Sequence, residues 1–149
     1  GFDPRLSYSE DWEMWVRIAA HFAVFYEVEP LAVYRVHPAS STGRHMRTGD
    51  NIRDLCRAVE IIGAHLPTES RKRLARQARL NIALGAVRRA RRSLKAGDRT
   101  LALVQMRAAL EASLSPRVFG QIGLTGLLWA GRYAWRRRPM SATSPAVAL

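Results

Sequence analysis

The chain has 149 residues, enough for one modest domain with its own core, and its 48% apolar content is ordinary for a globular protein. Its single cysteine, Cys56, excludes an internal disulfide framework and fits a reducing compartment. The net charge of +12 is unevenly spread: residues 1–49 carry −1 and residues 50–149 carry +13, so two regions of different character meet near Gly49. Gly1 to Arg17 holds acids and tryptophans rather than a basic start and an apolar run, so it does not read as a secretory signal. The opening Gly1-Phe2-Asp3-Pro4, without an initiator Met, reads as a boundary inside a longer protein.

Gly1 to Ser9 reads as a loop punctuated by Gly, Asp-Pro and Ser. A helix follows. Ser7 and Glu10 stand at capping-box spacing, and Glu10, Asp11 and Glu13 suit the positive end of a helix. Trp12, Trp15, Val16 and Ala19 recur at helical spacing and predict the buried face, with Glu13 and Arg17 as an i,i+4 pair on the exposed side. Val24 to Val28 and Leu31 to Val36, rich in β-branched and aromatic residues and split by Glu29-Pro30, predict two short strands. Ala39 to Gly49 reads as a polar loop.

From Asp50 onward the pattern is helical. Ile52, Leu55, Val59 and Ile62 share one face, and Pro67 interrupts. Glu69 to Ala96 is a long Arg-rich helix, Gly97-Asp98 a turn that ends it and caps the next, and Thr100 to Leu114 its partner. Ala102, Met106 and Ala109 match the second helix of a tetratricopeptide repeat, although Arg stands where the first helix of that repeat has an aromatic. Val118 to Gly131 is 14 uncharged residues. At about 1.5 Å per residue they span about 21 Å, short of a ~30 Å hydrocarbon core. With Trp129, Tyr133, Trp135 and Arg136 to Arg138, this stretch reads as a membrane-interfacial anchor or a buried C-terminal helix. The Pro/Ser/Ala-rich tail from Pro139 reads as disordered.

Two motifs carry chemistry. The first is Gly1-Phe2-Asp3 followed by Glu10-Asp11-Trp12-Glu13-Met14-Trp15-Val16-Arg17. The second is Glu29-Pro30-Leu31-Ala32-Val33-Tyr34-Arg35-Val36-His37-Pro38. In this order and spacing they resemble the end of the catalytic domain of family 2 glycosyltransferases of the GT-A fold, over roughly the first 45 residues. The resemblance implies an α/β fragment (a helix plus two short strands from the end of a GT-A domain) followed by a mostly α-helical C-terminal region. It divides the chain into 1–49, the C-terminal portion of the catalytic domain; 50–116, a basic helical region with a tetratricopeptide-like pair; 117–138, the apolar and aromatic helix; and 139–149, the tail.

The same resemblance makes Asp11 the catalytic base that takes the acceptor hydroxyl proton in an inverting transfer, with Glu10 shaping the acceptor pocket. Trp12 and Arg35 become substrate-binding residues, for a sugar face and a diphosphate, and His37 a ligand to a divalent cation, Mn2+ or Mg2+. The donor would be a nucleotide sugar and the acceptor a glycan or lipid-linked sugar, in a cytoplasmic enzyme peripheral on the inner face of the cell membrane. No Asp-x-Asp metal motif and no alternating strand–helix run occurs, so the chain alone is expected to be catalytically incomplete. The alternative is a non-enzymatic basic helical module that binds a protein partner or an anionic membrane surface. Nucleic acid is the weakest partner, because residues 66–118 contain no Phe, Trp or Tyr to stack on bases.

Overall fold

The computed structural model describes residues 1–33 and 40–136. Six helices follow in order: α1 (Glu10–Ala19), α2 (Ser41–Thr48), α3 (Asp50–Gly63), α4 (Thr68–Lys95), α5 (Arg99–Ala112) and α6 (Pro116–Arg136). No strand occurs among the described residues, so the expected α/β fragment is corrected to an all-helical fold.

The correction has a physical reason. A strand is stable only when its backbone pairs with a neighbour and one face is covered. Val24, Phe25, Tyr26 and Val28 are instead between 71% and 86% exposed. The backbone N–H groups of Val28 and Glu29 donate to the Glu27 carboxylate, which makes a local turn rather than a ladder. Of the second expected strand, Leu31 to Val33 are exposed and form no regular element, and residues 34–36 lie outside the described residues.

α2 occupies what reads as a polar loop. Ser40 caps it, its Oγ accepting from the Gly43 N–H at 3.2 Å. Gly49, with φ of +80°, ends α2 and launches α3; a Cβ there would meet Val104 Cγ1 at 3.4 Å and Ala108 Cβ at 3.5 Å.

The main core is assembled by the later helices. α4 and α5 pair as an antiparallel hairpin across the Gly97 turn, with Ala83, Ala86 and Ala90 facing Ala102, Ala108 and Ala109. Small side chains at these facing positions let the backbones approach closely. Ile52 and Cys56 of α3 and Val118 of α6 close the cluster. Gln105 pins a polar knot inside it: its Nε2 donates to the Met46 carbonyl at 2.7 Å and to Asn51 Oδ1 at 3.0 Å, and its Oε1 accepts from Arg89 Nε at 3.3 Å. That knot ties α4 and α5 to α3 and to α2, which packs on both α3 and α5.

α1 sits on a second, smaller cluster in which Leu6, Ala58 and Ile62 are buried and Trp12 and Val16 pack against them. α3 therefore serves two cores. Its Ile52 and Cys56 face the α4–α5 hairpin, and its Ala58 and Ile62 face α1.

Candidate active site at the start of α1

The loop before α1 is held by two contacts from α3. The first is Asp54, whose carboxylate accepts the N–H groups of Ser7 at 3.2 Å, Tyr8 at 3.0 Å and Ser9 at 2.9 Å, and the Ser9 hydroxyl at 2.9 Å. The second is Arg57, which donates to the Arg5 carbonyl at 3.0 Å. Ser9 is the N-cap residue but makes no side-chain cap bond to α1, and the capping box read from Ser7 and Glu10 does not form. A carboxylate 45 residues away does that work instead. Within the loop, Arg5 grips Asp3 through Nη2 at 2.6 Å and Nε at 2.9 Å; these hydrogen bonds hold the Asp3 carboxyl at about 2, well below its ordinary 3.8.

The first turn of α1 carries three acids, Glu10, Asp11 and Glu13, with different fates. Glu13 is buried at 1% exposure and is neutralised by Arg17, whose Nε donates to it at 2.9 Å. This pair, expected on the exposed side, faces inward, because Arg17 supplies the charge that makes burial of Glu13 tolerable. Glu10 is half-buried, and its Oε2 is buried with no hydrogen-bond partner among the described residues. Asp11 is exposed, with Oδ1 accepting the Trp12 N–H at 2.6 Å and the rest of the carboxylate open to solvent.

Trp12, expected both on the buried face of α1 and against a sugar, packs half-buried on the Leu6, Ala58 and Ile62 cluster. Trp15, expected in the core, is 59% exposed. Asp11 and Trp15 are four residues apart on a helix, which places an open carboxylate and an open indole on one face. Periodicity alone missed this, because a small turn of the buried face brings Glu13 in and puts Trp15 out while Trp12 and Val16 stay against the cluster.

Arg35 and His37 lie outside the described residues. Among the described residues no group of three or more His, Cys, Asp or Glu side chains could hold a metal ion. No described helix is long and apolar enough to cross a membrane. No protein-family profile, curated protein or solved structure matches the chain.

Proposed function

We propose that this chain is the acceptor-side segment of a family 2 glycosyltransferase, with Asp11 as the catalytic base. The observation that carries the reading is the sorting of the acids on α1. Glu13 is consumed by Arg17 and Glu10 is drawn inward, while Asp11 alone presents a carboxylate to solvent beside the exposed Trp15. The ordered motifs Gly1-Phe2-Asp3, Glu10-Asp11 and Tyr34-Arg35-Val36-His37 support it independently.

In this reading the acceptor sugar lies against Trp15, which offers an apolar ring face to the C–H side of a pyranose. Its attacking hydroxyl lies within hydrogen-bond reach of Asp11. As the hydroxyl oxygen forms its bond to the anomeric carbon and the bond to the nucleoside diphosphate breaks, Asp11 takes the hydroxyl proton. Glu10, half-buried beside Asp11, flanks the acceptor pocket. The nucleotide sugar and its cation would be held by a donor-binding part outside this chain.

The test is sugar transfer by the protein expressed from its full open reading frame, wild type against Asp11→Asn and Trp15→Ala, with Mn2+ and a panel of nucleotide sugars. Asp11→Asn is expected to lower turnover by about 10²–10⁴, the range of a positioned general base, with donor binding and fold intact. Trp15→Ala is expected to raise the acceptor KM more than it lowers kcat. Unchanged turnover in Asp11→Asn would reduce the carboxylate to a helix cap and sink the proposal.

A further inference from the structure

The last helix presents a surface that sugar transfer does not use. α6 is seated on the α4–α5 hairpin along one side only, through Val118 at 0% and Thr125 at 2% exposure. Two cations clamp it there. Arg91 Nη2 donates to Gln121 Oε1 and Thr125 Oγ1, both at 3.1 Å, and the Arg99 guanidinium lies 5.1 Å from the centre of the Trp129 ring.

The opposite side of α6 is apolar and open. Phe119, Leu124, Leu127 and Leu128 are between 44% and 73% exposed, and no charged residue occurs from Val118 to Gly131. The glycines at 120, 123 and 126 face empty space, so nothing polar interrupts the strip. A strip of this kind exposed on a helix needs a cover.

The surrounding charge says what covers it. No acidic residue follows Glu111, and α4 carries ten basic side chains after its single acid, Glu69. Among the described residues, Arg79–Glu60 is the one ion pair made by those ten. Arg92, Lys95 and Arg99 are exposed around the turn where the Trp129 end of α6 lies, and Arg117 is exposed at its start. An apolar strip on the open side with exposed cations near both ends matches the acyl-chain edge and the anionic headgroups of a bilayer. An acidic protein surface would match the cations but not a smooth strip of leucine, phenylalanine and glycine.

We infer that the open side of α6 lies flat in the surface of an anionic lipid bilayer, with Phe119, Leu124, Leu127 and Leu128 among the acyl chains and Arg92, Lys95, Arg99 and Arg117 on lipid phosphates. This holds whether or not the chain transfers sugar, and its test involves no catalysis.

The test is sedimentation of the 149-residue chain with phosphatidylcholine vesicles, with and without one third phosphatidylglycerol. It is run at low salt and at about 0.5 M salt, where the Debye length falls to about 4 Å. A chain of charge +12 binds anionic vesicles through charge alone at low salt, so the deciding variants leave charge untouched. Leu127→Gln/Leu128→Gln removes part of the strip, and Val28→Gln/Val33→Gln removes apolar residues elsewhere that are still more exposed. Wild type and the Val28/Val33 variant are expected to stay bound to the anionic vesicles at the higher salt. The Leu127/Leu128 variant is expected to bind at least tenfold more weakly there, with its helical circular dichroism unchanged. Phe119→Ser is expected to act in the same direction from the other end of the strip. Absence of wild-type binding at low salt, equal binding by the two double variants, or dimerisation through α6 in place of vesicle binding would overturn the inference.

Discussion

Replacing Asp54 removes a carboxylate that accepts the amides of three successive residues, and the size of the effect can be worked from the structure. The carboxylate is buried at 6% exposure and takes four hydrogen bonds, three from N–H groups and one from the Ser9 hydroxyl. Hydrogen bonds to a charged group contribute about 1.5–3 kcal/mol each, but four on one carboxylate do not add. Ser7 is exposed, so water can replace its bond, whereas Ser9 is 2% exposed and cannot be resolvated without moving the loop. Counting the bonds that water cannot replace, Asp54→Ala should cost about 3–4 kcal/mol. With a urea slope of about 2 kcal/mol/M, the denaturation midpoint should fall by about 1.5–2 M. Asp54→Asn keeps one accepting oxygen and should lose about half as much. Ser9→Ala should cost about 1 kcal/mol in the wild type and nearly nothing in Asp54→Ala, because the two report the same contact. Urea titrations followed by circular dichroism measure the wild type and all four variants. A midpoint for Asp54→Ala within about 0.3 M of wild type would refute the assignment of Asp54 as the anchor of α1.

Two further outcomes follow from local geometry. Asp3 should titrate at about 2 by carbon NMR and return toward 3.8 in Arg5→Ala. Because its folded pKa is depressed, the Asp3–Arg5 contact contributes above the unfolded value of 3.8 and is lost as the pH falls through about 2; a wild-type Asp3 titrating near 3.8 would mean that the contact is not formed. Gly49→Ala places a Cβ at φ +80° and should cost about 1–2 kcal/mol, or a drop in Tm of about 2–8 °C, whereas a melt unchanged from wild type would show that the left-handed joint between α2 and α3 is not made.

The later helices were legible in the sequence because they are long and periodic. Of Ile52, Leu55, Val59 and Ile62, which spacing places on one face of α3, three are buried and Leu55 is half-buried, and the Gly97-Asp98 turn ends α4 and caps α5 as its residues suggest, Asp98 accepting the Leu101 N–H at 2.9 Å. α2 was missed although its signals were present, a Ser at the N-cap and a Gly at the C-cap, because eight residues rich in Ser, Thr, Gly and His look like a loop when composition is weighed first. The two expected strands fail for a different reason. β-propensity describes how a side chain fits a pleated, half-buried surface, and among the described residues no such surface covers Val24 to Val28. At the candidate site the acids were legible by position, but their roles were not. Which acid is neutralised and which tryptophan stays open depends on a turn of α1 about its axis by less than the ~100° step of one residue, and that turn is set by Leu6 beside it and by Ala58 and Ile62 from a distant part of the chain.

The placement of Asp54 and Arg57 bears on how the acidic start and the basic remainder work together. The charge step near Gly49 separates them in sequence, yet the loop that launches Asp11 is fixed by side chains of α3, and the apolar face of α1 is covered by Ala58 and Ile62 of the same helix. The described part of residues 1–49 contributes Leu6, Trp12 and Val16 to that cluster, too little apolar surface to order α1 without α3. α3 in turn is held by Ile52 and Cys56 against the α4–α5 hairpin and by Asn51 through Gln105. The direction in which Asp11 points is therefore set by the basic helices, through α3, rather than by the motif that contains it. A substitution in the Gln105 knot, more than 90 residues from Asp11 in sequence, should loosen the carboxylate while leaving every residue of the motif unchanged.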